Sequence, residues 1–301
     1  MSSSAPWDEP APSHDAVPVS DPAKRASSPG SSAPVDELIQ LGGHRIRVRV
    51  QGEGRPLLLI NGVGAPLELW QPMVARLRGV RAITFDAPGS GGSSTPNVPL
   101  SIGGHADLVL GLLDALDCPR AAALGYSFGG MVAQELAVRA GPQRIDRLVL
   151  ASTMCGWGGV PGSPAALLEV SNPERYYPRT IFAGLTPTAR DSDRPRGFGH
   201  ELVRGVLQPS GRGYRDQLWA AATWSSVLWL HRVRQPTLVI TGDVDTLVPS
   251  VNGQILNSML PNGRLHLVRG GGHFCLFERM DETVPLLTDF LVGGASISDT
   301  R

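Results

Sequence analysis

The chain has 301 residues, of which 42% are hydrophobic and 18% charged, a balance typical of globular proteins rather than disordered or membrane-spanning ones. Its 27 basic side chains equal its 27 acidic ones, so no net charge attracts nucleic acid or an anionic bilayer. The length suits one large α/β domain with an insertion, and it is too short for two ordinary catalytic domains. We expect no nucleic-acid partner and no transmembrane segment.

Residues 1–36 are rich in Ser, Pro and Ala and lack the apolar run of a secretory signal. Such a segment buries too little apolar surface to offset the entropy lost on ordering. We therefore predict a disordered tail over 1–36 and a flexible C-terminus over 293–301.

The cysteines and the glycine-rich segment give no sign of a metal or cofactor. Cys118, Cys155 and Cys275 lack metal-ligand spacing, and their odd number favours a reducing compartment over a disulfide framework. The run 89–94 resembles a phosphate-binding loop, but it has neither the lysine nor the glycine spacing of one. We expect buried cysteines, no cofactor, no metal and a cytoplasmic protein.

The predicted elements alternate between strands and helices. Residues 44–50 alternate polar and apolar side chains like a half-exposed strand, and the turn at Gly52-Glu53-Gly54 predicts a hairpin at the sheet edge. Further strands are predicted at 57–60, 80–85, 121–124, 145–151, 237–241 and 265–268, with helices at 67–77, 106–116, 131–140, 251–260 and 284–291. This alternation indicates a mostly parallel sheet flanked by helices.

The segment 153–235 breaks this alternation and predicts a helical cap inserted between the core segments 37–152 and 236–292. Four of the six Trp and three of the four Tyr fall within it. They would either line an aromatic substrate channel or pack the cap's own small core, and the sequence favours neither. These residues are Trp157, Trp219, Trp224, Trp229, Tyr176, Tyr177 and Tyr214.

The motif Gly125-Tyr126-Ser127-Phe128-Gly129 lies between an apolar strand and an apolar helix. That context is typical of a nucleophile elbow, in which glycines allow the sharp turn that exposes the serine hydroxyl. The N-terminus of the following helix would stabilise negative charge that develops at this serine. We therefore predict an α/β-hydrolase fold in which Ser127 is the nucleophile.

Two backbone N–H groups are needed to stabilise the oxyanion that this nucleophile would generate. The residue after the serine, Phe128, supplies one, and the loop after strand 57–60 should supply the other. That loop reads Asn61-Gly62-Val63-Gly64, and we predict Val63 as the donor, with Gly64 as the alternative.

His273 follows the last predicted strand and is the candidate general base. The acid that orients it should follow strand 237–241, where Asp245 is preferred and Asp243 is interpreted as a residue that hydrogen-bonds its own turn. Asp86, after strand 80–85, is the remaining alternative acid. The other histidines are assigned surface or packing roles: His14, His44, His105, His200, His231 and His266.

Several segments resemble the intracellular poly(3-hydroxyalkanoate) depolymerases over residues 57–291. The most specific are Asn-Gly at 61–62 in place of His-Gly, Gly-Gly-Ser-Ser-Thr-Pro at 91–96 and Trp-Leu-His at 229–231. Phe128 stands where the family has Trp, and Thr246 where it has Pro.

This resemblance implies that Ser127, His273 and Asp245 hydrolyse the esters of a stored polyester, with the polymer granule surface as a further partner. The same residues would also suit a soluble carboxylesterase or lactonase. More distant alternatives are an acyltransferase, a carbon–carbon bond hydrolase, a perhydrolase and a non-catalytic ligand receptor.

Overall fold

The computed structural model describes residues 35–172 and 209–293, which contain one eight-stranded sheet. Its order is β1-β2-β4-β3-β5-β6-β7-β8. Strand β2 runs antiparallel to both β1 and β4, and every other neighbouring pair is parallel. The strands are β1 (Asp36–Leu41), β2 (His44–Gln51), β3 (Arg55–Ile60), β4 (Val80–Phe85), β5 (Ala121–Tyr126), β6 (Ile145–Ala151), β7 (Thr237–Gly242) and β8 (Gly263–Val268).

The prediction of a hairpin around the turn at 52–54 is wrong. The edge hairpin is β1–β2, closed at Gly42 and Gly43, whose φ angles of 52° and 89° suit glycine. The turn at 52–54 instead leads to β3, which β4 separates from β2. Residues 57–60 are buried on both faces of the sheet, so β3 needs a neighbour on each side, which β4 and β5 provide.

Helices cover both faces of the sheet because successive strand residues point to opposite sides. The helices are α1 (Gln71–Val74), α2 (Ile102–Ala115), α3 (Phe128–Arg144), α4 (Pro164–Val170), α5 (Gly211–Ala222), α6 (Val251–Met259), α7 (Cys275–Glu278) and α8 (Met280–Val292). In β3, Leu58 and Ile60 pack on the face covered by α2, α3 and α6, while Leu57 and Leu59 pack on the face covered by α1, α7 and α8.

The helix predicted at 67–77 is broken into two pieces. A 3-10 turn over Leu67–Trp70 precedes α1, in which Pro72 occupies the first turn. A proline ring farther inside a helix would clash with the carbonyl four residues earlier, so the α-helix begins only at Gln71. Trp70 and Met73 are nevertheless fully buried, as the apolar pattern predicted.

The described part of the predicted cap contains α4, α5 and a short 3-10 helix at Leu230–Arg232. Tyr214 is fully buried and donates to the Val170 carbonyl at 2.8 Å, so it packs the cap. Trp224 and Trp229 meet edge to face with ring centroids 5.9 Å apart. By contrast, Trp157 and Trp219 are 73% and 54% exposed, while Tyr176 and Tyr177 lie outside the described residues.

The two predicted terminal segments fall almost entirely outside the described residues, although Asp36 already begins β1. All three cysteines are free and buried, which confirms that expectation, and burial raises the pKa of Cys275 to about 12. Within residues 35–172 and 209–293 no helix has the length and apolar character needed to cross a membrane. The same residues contain no cluster of His, Cys, Asp or Glu suited to a metal ion.

Candidate active site

Ser127 lies at the sharp turn between β5 and α3, with φ 53° and ψ −116°. A positive φ is uncommon for a residue with a side chain and stores local strain. The turn requires small neighbours, since a Cβ on Gly125 would lie 2.2 Å from the Gly129 carbonyl oxygen. A Cβ on Gly129 would lie 2.1 Å from the Ile60 oxygen. These contacts match the predicted nucleophile elbow.

The loops after β7 and β8 bring Asp245 and His273 to the serine. His273 Nε2 lies 3.0 Å from Ser127 Oγ, and His273 Nδ1 lies 2.8 Å from Asp245 Oδ2. All three follow the carboxyl ends of parallel strands, which share one edge of the sheet. The structure therefore brings together the three side chains that the sequence proposed.

The Asp245 carboxylate is buried and held by the backbone. Its Oδ1 accepts the N–H groups of Leu247 at 2.9 Å and Val248 at 2.8 Å, which leaves Oδ2 for His273. Such a carboxylate acceptor favours the tautomer with its proton on Nδ1 and a free lone pair on Nε2 toward Ser127.

Asp243 has a different role from the one predicted. Its Oδ1 accepts the N–H of Gly270 at 2.7 Å, so it ties its turn to the loop that carries His273, rather than bonding within its own turn. The parallel pairing of β7 with β8 places these two loops side by side, a contact between segments distant in sequence.

The Phe128 amide is oriented through the peptide plane that it shares with Ser127. The Ser127 carbonyl accepts Thr153 Oγ1 at 2.7 Å and the Gly130 N–H at 2.9 Å. Because a trans peptide holds its N–H opposite its C=O, the Phe128 N–H points away from both donors. No residue in the described part of the chain accepts this N–H.

The Val63 amide is oriented in the same way. The Gly62 carbonyl accepts the Ala65 N–H at 3.2 Å, so the Val63 N–H faces the opposite direction. The loop passes close to Ser127, since a Cβ on Gly62 would lie 3.5 Å from Ser127 Cβ. Among the described residues the Val63 N–H has no acceptor, whereas Gly64, the alternative donor, is already bonded to Gln217 Oε1 at 2.8 Å.

Asp86, the alternative acid predicted from the sequence, is fully buried. It accepts the N–H groups of Leu67 and Gly92, both at 2.7 Å, and pairs with Arg47 at 3.1 Å. Burial raises its pKa to about 6. Asp245, and not Asp86, bonds His273 Nδ1, and Asp86 instead anchors two loops through their backbone N–H groups.

Two further aromatic contacts lie beside Ser127 and His273. Tyr126 donates to the His273 carbonyl at 3.3 Å, and its ring centroid lies 5.4 Å from the imidazole. His105 is buried edge to face against Phe128 at 5.3 Å, and burial lowers its pKa to about 4. No role was assigned to Tyr126 from the sequence, although its position between Gly125 and Ser127 placed it next to the predicted elbow.

The fold and this geometry define the class of protein. The chain belongs to the alpha/beta hydrolase family, whose model matches residues 57–286. The predicted fold class is therefore confirmed, and the chain is a hydrolase of that superfamily.

Three known proteins are similar to this chain over most of its length. The chain is 37% identical to a poly(3-hydroxyalkanoate) depolymerase of Ectopseudomonas oleovorans, over 84% of this chain and 91% of that one, which confirms the resemblance predicted from the motifs. A hydrolase structure from Pseudomonas aeruginosa PA01 matches with TM-score 0.70 and 27% identity, covering 88% and 100% of the two chains. An enol-lactonase structure from Burkholderia xenovorans LB400 matches with TM-score 0.71 and 25% identity, covering 84% and 99%.

Proposed function

We propose that the protein is a serine hydrolase of carboxylic esters in which Ser127 is the nucleophile, His273 the general base and Asp245 the residue that orients it. The observation that carries this proposal is the pair of hydrogen bonds joining the three side chains, 3.0 Å and 2.8 Å long. His273 Nε2 removes the hydroxyl proton as Ser127 Oγ attacks the ester carbonyl carbon.

The resulting tetrahedral oxyanion accepts the backbone N–H groups of Val63 and Phe128. When the intermediate collapses, the ester C–O bond breaks and His273 returns the proton to the departing alcohol oxygen. A water molecule, deprotonated by His273, then attacks the acyl-enzyme and releases a carboxylic acid together with free Ser127. One water is consumed for each ester bond cleaved, and the residues require no cofactor.

For the substrate we propose poly(3-hydroxyalkanoate), cleaved to 3-hydroxy acids or oligomers. Support comes from the depolymerase relative, at 37% identity over most of both chains, and from the segments that resemble this family. A soluble esterase or lactonase is the second candidate, supported by the enol-lactonase of the same fold.

An insoluble substrate also suits the surface of the cap. Six large apolar side chains of the described cap residues are exposed, among them Leu228 at 86% and Trp157 at 73%. Exposed apolar groups of this size are suited to contact with a hydrophobic surface. We therefore propose that the protein adsorbs to polyester granules through Trp157, Trp219, Leu168 and Leu228. Because its three cysteines are free, we also propose a reducing, cytoplasmic location.

The test compares purified wild type, Ser127→Ala and Ser258→Ala on a medium-chain polyester suspension and on short p-nitrophenyl esters. We expect wild type and Ser258→Ala, an exposed serine on α6, to release 3-hydroxy acids from the polymer, and Ser127→Ala to be inactive on both substrates. Activity confined to the short esters would refute the depolymerase assignment and favour the soluble esterase. An active Ser127→Ala would refute the mechanism itself.

A further inference from the structure

Gln217 is a buried side chain on the cap helix α5 whose amide joins two loops of the core. It is 1% exposed. Its Oε1 accepts the Gly64 N–H at 2.8 Å, and its Nε2 donates to the Pro88 carbonyl at 3.1 Å and to Ser90 Oγ at 3.0 Å. Both halves of the amide are therefore satisfied, and both loops lose a buried partner if the amide is removed.

The backbone around Gln217 is packed too closely for the helix to shift without moving these loops. A Cβ on Gly64 would lie 2.5 Å from the Tyr214 ring, and a Cβ on Gly89 would lie 2.5 Å from Gly213 Cα. The Ser210 N–H also donates to the Gly89 carbonyl at 3.1 Å. The first two turns of α5 and the two loops thus behave as one packed unit.

The contact at Gly64 constrains the residue proposed to stabilise the oxyanion. Val63 lies between two peptide planes. The first is fixed by the bond from the Ala65 N–H to the Gly62 carbonyl, and the second by the bond from the Gly64 N–H to Gln217. Without Gln217 the second plane could rotate, and Val63 would lose one of its two restraints.

We propose that Gln217 is a positioning residue, which holds the oxyanion loop through Gly64 so that the Val63 N–H stays directed at the transition state. This inference rests on the proposed function of Val63 and extends it to the cap. The cap would then contribute to the rate of the reaction as well as covering the site, because a small displacement of one donor weakens the stabilisation of the oxyanion.

The test replaces Gln217 with Met, which preserves size and removes both hydrogen-bonding groups. The matched control is Gln235→Met, because Gln235 is equally buried but donates to the Ala137 carbonyl in α3, ten residues along the chain from Ser127. Activity is measured on a p-nitrophenyl ester, inhibition with an alkyl trifluoromethyl ketone whose adduct carries an oxyanion, and folding by circular dichroism.

We expect kcat of Gln217→Met to fall about 10- to 100-fold while KM changes by less than about twofold, with ketone affinity weakening in parallel with kcat/KM. Ser90→Ala, which removes one anchor of the Gln217 amide, should shift kcat in the same direction by about 2- to 5-fold. This milder variant keeps the test valid if Gln217→Met does not fold. Gln235→Met should retain wild-type kcat.

A folded Gln217→Met with kcat and ketone affinity within about twofold of wild type would overturn the positioning role, as would an equal loss of kcat in Gln235→Met. Ser127→Ala, assayed beside them, separates this outcome from a failure of the proposed function. If Ser127→Ala is inactive and Gln217→Met is fully active, only the positioning role of Gln217 is refuted. If Ser127→Ala is active, the proposed function is refuted.

Discussion

Replacing Asp245 with Asn reverses the polarity of one hydrogen bond and leaves the rest of the site in place. Oδ1 of Asp245 accepts two backbone N–H groups, from Leu247 and Val248, so the amide oxygen of Asn must take that position. The NH₂ group then occupies the place of Oδ2, 2.8 Å from His273 Nδ1, and donates to it. His273 must carry its proton on Nε2, where it can no longer accept the Ser127 hydroxyl proton.

The expected loss is large because the general base is present in the wrong tautomer. The equivalent change in a Ser-His-Asp protease lowers kcat about 10⁴-fold, and we expect a similar factor here, about 5 kcal/mol in the activation free energy. KM should change by less than about threefold, since no contact to the substrate is altered. Thermal stability should change little, because both backbone bonds remain.

The assay is steady-state hydrolysis of a p-nitrophenyl ester by Asp245→Asn, with Asp243→Asn as the matched control. Within the described residues, the Asp243 carboxylate accepts only the Gly270 N–H, which an amide oxygen can also accept. The kcat of Asp243→Asn should therefore stay within about twofold of wild type. A kcat for Asp245→Asn within about tenfold of wild type would refute the reasoning, because His273 would then not depend on Asp245 for its tautomer.

Two further outcomes follow from the packing. Gly129→Ala should lower the free energy of unfolding by about 1–3 kcal/mol in urea titrations, because the added Cβ would lie 2.1 Å from the Ile60 carbonyl oxygen. Gly211→Ala is the control and should leave this free energy unchanged, because its added Cβ would meet no atom within 4 Å. Burial lowers the pKa of His105 from 6.5 to about 4, so unfolded chains bind its proton first as the pH falls. Wild type should lose about 3 kcal/mol relative to His105→Leu between pH 7 and 4, and a pH-independent difference would contradict this.

The parts of the fold and site that could be predicted are those determined by nearby residues. Six apolar runs and one alternating segment located seven of the eight strands, and the pentapeptide around Ser127 predicted the elbow because strand, turn and helix are contiguous there. Asp245 and His273 could be placed because each directly follows a parallel strand, and such strand ends meet at one edge of the sheet.

The parts that were missed depend on long-range pairing or on backbone strain. Strand β1 was missed because its residues are only partly buried and its single partner is β2. The position of β3 between β4 and β5 depends on burial of both faces, which periodicity within one segment cannot specify. The break in the helix before Pro72, by contrast, follows from the local sequence, because proline is tolerated only in the first turn of a helix.

The segment predicted as the cap adds one contact near each proposed oxyanion donor, beside the core contacts made by Gly130 and Ala65. Thr153 leaves the core directly after β6 and bonds the Ser127 carbonyl, while Gln217 reaches Gly64 from α5. A cap exchanged to change substrate preference would therefore also change the restraints on the two proposed oxyanion donors. Cap variants that keep Thr153 and Gln217 should retain kcat on small esters more often than variants that replace them, because each restraint fixes a peptide plane that adjoins one of these donors.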